Sequence, residues 1–302
     1  MLDADCEADE FIKKAEVLKE EATKKAESTQ SDCKLAFARF GEKKLRVLSH
    51  SVSNFLDHFH QLKHSRITIE DINMQDIQRQ VSDARNLLNQ LNANGIDGDS
   101  APGVIAGCVG LGASSFTTGA ILGGGLAASG LAGMAVIGGL VAGPALAILG
   151  ALSADEMEKK RDDAKAYCSQ VEAAVKKADA MIDNLQAVRK MADLFTRQIT
   201  KFDALFFSLS QDAIATMKKH HYDTSRYNQK EKDQLCVTVS TLSSLIAFLK
   251  VPIMDEHQKL NKKAQNALNL MRDQINALEI GQESGRYDVA MIQSNQKDFE
   301  NL

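Results

Sequence analysis

The sequence predicts an all-α protein, an elongated helical bundle or coiled coil built around a central Gly/Ala-rich hydrophobic hairpin. Three observations predict it. Apolar residues recur at spacings of three and four over most of the chain, which is the helical period. Only 3 of the 302 residues are proline, and outside one tract the chain is rich in Ala, Leu, Lys, Glu, Gln and Asp, residues of helices with solvated faces. Within that tract, between Asp99 and Asp155, 55 consecutive positions carry no charge and hold 14 of the chain's 19 glycines.

The first division, residues 1–99, reads as N-terminal amphipathic helices. Phe11, Ala15, Leu18, Ala22 and Ala26, and later Val52, Phe55, Phe59 and Leu62, keep helical spacing, with interruptions expected near Gly41 and residues 49–53. The alternation Ile67-Thr68-Ile69 marks a turn or a short extended link. A new helix is expected over about residues 70–92, with Ile77, Val81, Ala84, Leu88 and Leu91 on one face. The Asn- and Gly-rich stretch that follows supplies its stop signal.

The second division, residues 100–154, is the uncharged tract. A helical bilayer crossing needs about 20 apolar residues, so the tract is long enough for two passes. They are placed over residues 104–122 and 131–149, with Gly123-Gly124-Gly125 and Ser129-Gly130 at the turn and Pro144 kinking the second pass. Gly103 and Gly107, Gly119 and Gly123, and Gly139 and Gly143 are each four apart, a spacing that puts small residues on one helix face and lets backbones approach closely. Val104, Ile105, Phe116, Ile121, Val136, Ile137, Leu140, Leu146 and Leu149 supply the apolar surface for insertion. Two other readings stand beside this one. The tract can be the buried centre of a soluble bundle, or a flexible linker, although a linker would expose more apolar surface than soluble monomers tolerate.

The third division, residues 155–280, begins where charge returns at Asp155. Cys168, Val171, Val175, Ala178, Ile182 and Leu185 alternate at three and four, a coiled-coil seam. After a small register shift it continues through Val188, Phe195, Ile199, Phe202, Phe206 and Leu209, so one helix of about 55 to 60 residues is expected. A polar break over residues 218–228 is followed by a helix over about residues 229–250, a stop at Pro252, and a last helix on Leu260, Ala264, Leu268, Met271, Ile275 and Leu278. Residues 281–302 are expected to form a weakly ordered tail.

Composition narrows the function. A net charge of -4 and the lack of a basic stripe interleaved with aromatics disfavour nucleic-acid binding. The acidic start MLDADCEADEF has none of the parts of a signal peptide, so cytoplasmic synthesis is expected. Arg79 and Arg85 before the tract, and Lys159, Lys160, Arg161 and Lys165 after it, place both helical arms on the cytosolic side. The modest hydrophobicity of the tract also allows a soluble form with the tract sheltered and an inserted form with it released. Five widely spaced cysteines read as reduced thiols rather than a disulfide framework.

No enzymatic chemistry is expected. Gly123-Gly124-Gly125-Leu126-Ala127-Ala128 loosely fits a dinucleotide fingerprint, but no strand precedes it and no acidic residue follows before Asp155. A P-loop is excluded because no lysine lies between Lys63 and Lys159. His58, His60 and His64 lie close together, and His60 and His64, four apart with Asp57 near them, have the spacing of metal ligands on a helix, against which stands a plain polar face beside Phe55 and Phe59. Lys218-Lys219-His220-His221 reads as a solvated turn, with contact to anionic headgroups as the alternative. No catalytic residue, cofactor, metal or small-molecule substrate is expected, and the expected partners are a lipid membrane and further copies of the chain or other helical subunits.

Long amphipathic helices around a central Gly/Ala-rich hairpin resemble two groups: the α-helical pore-forming toxins, and the apolipoprotein-L-like and colicin-like membrane-inserting proteins. The resemblance covers the architecture from about Glu70 to Leu209 and rests on the uncharged tract. It implies a membrane-inserting protein that oligomerises and permeabilises or remodels a bilayer, as a toxin component or a defence effector. Because the likeness is architectural, no individual residue takes a role from it. A membrane-anchored coiled-coil scaffold that recruits a protein partner, and a soluble bundle with the tract as its core, are the alternatives.

Overall fold

A computed structural model of the chain describes residues 2–63, 82, 154–253 and 260–301. Among these, every regular element is helical, as an all-α fold requires, and an isolated bridge pairs Lys63 with Asp223. Helix α1 spans Leu2–Arg46, a π-helical turn spans Val47–Val52 and α2 spans Ser53–Phe59. Helix α3 covers Ala154–Lys219, a 3-10 turn covers Thr224–Arg226, and α4 covers Gln229–Lys250. The chain then forms α5, Lys262–Ser284, and α6, Val289–Glu300. The tract as far as residue 153, with all of its glycine pairs, the helix expected over residues 70–92 apart from residue 82, and His64 lie outside the described residues.

These residues fall into two compact units. The first comprises residues 2–33 and 154–187; the second comprises residues 34–63, 82, 188–253 and 260–301. Helices α1 and α3 each contribute to both.

The first unit is lined by small side chains. Ala8, Ala15, Ala22 and Thr29 are buried at intervals of seven along α1, so a 3.5-residue seam faces inward. Ala15 packs with Cys168 and Val171 of α3, and Phe11, Leu18, Tyr167 and Val175 close around them. Two ion pairs flank the seam: the Lys14 and Lys25 ammonium groups stand 2.8 Å from Glu172 and Asp179 respectively. Residue numbers rise together across these contacts, so α1 and α3 run in the same direction here. Parallel neighbours cannot be joined by a tight turn and need a long crossover connection, which the chain between Lys63 and Ala154 supplies by its length.

The second unit is built on aromatic rings. Phe40 of α1 meets Phe195 of α3 edge to face at 5.9 Å, Phe195 stacks on Phe248 of α4 at 4.5 Å, and Phe248 meets Phe299 of α6 at 6.2 Å. Each ring removes far more apolar surface from water than an alanine does, and the paired geometry adds a further increment. Helix α4 is the most enclosed element: residues 237–246 are buried without a break. Its interior hydroxyls are satisfied within the helix, since Thr238, Thr241, Ser243 and Ser244 each donate to the carbonyl four residues earlier. One charge is buried in this core. The Lys44 ammonium donates to the Leu249 carbonyl at 2.7 Å and lies 4.3 Å from the centre of the Phe40 ring, so it caps the negative C-terminal end of α4.

Sequence signals explain most element ends. The Asn228 side chain accepts from the Glu231 amide while Glu231 accepts from the Asn228 amide, a complete capping box that starts α4. Asn261 and Asp288 cap α5 and α6 through their side chains, and Gly285 takes the left-handed conformation that stops α5. The seam of α3 steps 185 to 188 where the alternation calls for 189, and that three-residue step falls at the boundary between the two units, residues 187 and 188.

Two expectations need correction. Gly41 does not interrupt α1, which runs through it to Arg46 with that position buried, because a helix interior tolerates a glycine where packing compensates. The interruption expected at residues 49–53 is present and falls at Val47–Val52, where one π-helical turn is inserted between residues that keep right-handed helical dihedrals. The weakly ordered tail is also corrected. Residues 289–300 form α6, whose Ile292 and Phe299, seven apart, are buried in the second unit.

Candidate functional site

Among the described residues, no helix is long and apolar enough to cross a membrane. Those residues also contain no group of three or more His, Cys, Asp or Glu side chains placed to hold a metal ion. The polar side chains that do converge lie where α2 ends against the connection from α3 to α4, all within the second unit.

That corner begins with a helix stop. The Tyr222 amide donates to the Met217 carbonyl at 2.8 Å and the His221 amide donates to the Lys218 carbonyl at 3.1 Å, the paired bonds of a Schellman motif. The residue that closes such a motif must enter left-handed space, and here His221 does so at φ 53° where glycine is usual, followed by Tyr222 at φ 63°. A left-handed conformation costs a residue with a side chain about 1–2 kcal/mol, so this turn holds two strained positions in succession.

The strain is held by contacts from α2. The Lys63 amide donates to the Tyr222 carbonyl at 2.7 Å, and the Lys63 carbonyl accepts from the Thr224 amide and hydroxyl at 3.2 and 3.1 Å. His58 Nδ1 lies 2.9 Å from the Tyr222 hydroxyl, with the two rings nearly parallel at 9°. Beneath them Phe55 packs against Phe59 and, edge to face, against Phe206. Burial holds the His58 imidazole below its ordinary proton affinity, and Lys218 adds to this while Asp57 opposes it.

The far side of the corner is an ion network. One Glu231 oxygen stands 2.8 Å from Lys219 Nζ and 3.0 Å from His220 Nε2. The Lys219 hydrogen bond, then His220 and the Asn228 amide, hold the Glu231 carboxyl down at about 2. Beside the His220 ring, Tyr227 is buried with an unpartnered hydroxyl, and burial above all pushes that phenol up to about 12.

The structure therefore redistributes the side chains that stand out in the sequence. His58 belongs to a contact with Tyr222, while His60 is exposed. Within the basic run, Lys219 and His220 share Glu231, whereas Lys218 and His221 face solvent. Neither Tyr222 nor Glu231 stands out in the sequence; Glu231 has a local signal, the Asn228-x-x-Glu231 box, and Tyr222 has none. An open groove of about 930 Å³ between Lys230 and Val289 mixes two cations, Lys230 and Arg286, with two carboxylates, Asp233 and Asp288. Comparison with protein-family models, curated proteins and solved structures finds no match.

Proposed function

We propose that this chain is a non-catalytic, membrane-inserting helical protein that oligomerises through its glycine faces and permeabilises or remodels a bilayer. The observation that carries the reading is the uncharged tract: 55 residues with 14 glycines, long enough for two crossings, set between arms that carry the charge. In lipid, apolar burial gives helices no reason to associate, so association depends on close packing, and the pairs Gly103/Gly107, Gly119/Gly123 and Gly139/Gly143 supply the small surfaces for it. Val104, Ile105, Phe116, Ile121, Val136, Ile137, Leu140, Leu146 and Leu149 supply the lipid-facing area. Synthesis in the cytoplasm, followed by membrane association, fits a tract sheltered in one form and inserted in another.

The test is dye release from liposomes by detergent-free protein, run beside the double variant Gly139→Leu/Gly143→Leu. Release by the parent chain, and loss of release with lipid binding retained in the variant, supports a pore assembled through glycine packing. Binding without release by the parent chain favours an anchored scaffold. Release undiminished in the variant overturns the packing role of these two glycines.

A further inference from the structure

The corner has a property that the membrane reading does not require. His58 and Tyr222 are 164 positions apart and meet at 2.9 Å, next to two consecutive residues in left-handed space. Lys63, whose backbone closes the same contact on both sides, stands 37 positions before the first residue of the uncharged tract in the sequence. We propose that the His58–Tyr222 contact is a protonation-sensitive latch, closed while His58 is neutral and loosened when it takes up a proton, that fastens the end of α2 to the α3–α4 corner.

The groups around the latch set its direction. Facing His58 are Lys218 from α3, the Tyr222 hydroxyl from the turn, and Asp57 from α2 itself. A proton on Nδ1 turns that atom from acceptor to donor, so the Tyr222 hydrogen bond must reverse, and it places a cation on a half-buried ring that exposed Asp57 offsets only in part. The Glu231 carboxylate supplies no compensating charge, because Lys219 and His220 hold it on the far side of the turn. Once the ring contact weakens, the left-handed pair has fewer contacts opposing its relaxation, and the Lys63 bridge opens with it. The sign follows from the lowered affinity of His58: the latch is complete above the ordinary histidine range, about pH 6.5, and loosens as the pH falls below it.

As a regulator of insertion the latch rests on the membrane reading; as a conformational device it does not, and the two are measured separately. Hydrogen exchange on the full chain is followed at about pH 7.5 and about pH 5, with rates corrected for intrinsic exchange. The expected result is a fall of about tenfold or more in protection of the Lys63, Tyr222 and Thr224 amides at the lower pH, with the amides of α4 unchanged. In His58→Phe, which keeps a flat ring against Tyr222 but cannot titrate, protection at these amides does not respond to pH. Protection that ignores pH in the parent chain, or that falls equally in His58→Phe, overturns the latch. Flotation on liposomes at the same two pH values supplies the second readout. Corner opening without flotation keeps the latch and removes the membrane reading, whereas acid-enhanced flotation with a corner that stays closed overturns the latch and leaves the membrane reading standing.

Discussion

The two halves of α3 do different work with the same repeat. Over residues 154–187 the seam buries Ala164, Cys168, Val171, Ala178, Ile182 and Leu185 and no aromatic ring; over residues 188–219 it buries Phe195, Phe202 and Phe206, with Phe195 and Phe206 against rings from α1, α2 and α4. A heptad pattern specifies which face is covered, while side-chain volume specifies how much free energy the covering yields. The second unit therefore holds most of the stability among the described residues, and the first is the one that small perturbations can open.

The sharpest way to break that contrast is a ring deletion. Phe195→Ala removes a fully buried side chain that touches both Phe40 and Phe248, and a loss of about 3–5 kcal/mol is expected in denaturant unfolding. Gly281→Ala comes next. A Cβ there collides with the Tyr287 ring that lies over Gly281, and displacing the connection from α5 to α6 is expected to cost about 2 kcal/mol. Val171→Ala in the first unit is expected to cost only about 1 kcal/mol, since it removes two carbons from an already thin seam. A loss at Val171 as large as that at Phe195 contradicts the contrast.

Two smaller effects sharpen it at the corner. His221→Gly relieves one left-handed residue and is expected to raise stability by about 1 kcal/mol, read as a higher unfolding midpoint. The smallest effect is electrostatic. The Glu231 carboxyl is held at about 2, below the 4.5 of an unperturbed glutamate, so its contribution is whole above that ordinary value and is lost as the pH falls through about 2. In Glu231→Gln this part of the acid dependence is expected to flatten, as an acid titration followed by circular dichroism checks.

Much of the helical layout is legible in the sequence for local reasons. The bounds of α4 follow from Asn228 and Glu231 at its start and Pro252 just beyond its end, and α3 follows from its alternating seam, although at 66 residues it outruns the 55 to 60 expected. Helix α6 is hidden because it is short and polar in composition; its readable traces are the Asp288 cap and the Ile292/Phe299 pair. The corner is legible only in its Asn228-x-x-Glu231 box. Histidines read singly suggest metal ligands or a solvated turn, and only a tertiary contact across 164 positions shows that His58 belongs with Tyr222. Lys44 escapes for the same reason, because a lysine at a helical seam position reads as a solvated edge until the chain folds its head onto the Leu249 carbonyl.

Entry of the uncharged tract into lipid is read by liposome flotation of the detergent-free chain. The protein is expected to rise with the vesicles and to stay with them through a high-salt wash, because apolar insertion is not screened as surface charge attraction is. Protein that remains at the bottom of the gradient at every lipid composition and pH contradicts insertion by this chain alone and favours a soluble bundle or a chain that inserts only with a partner.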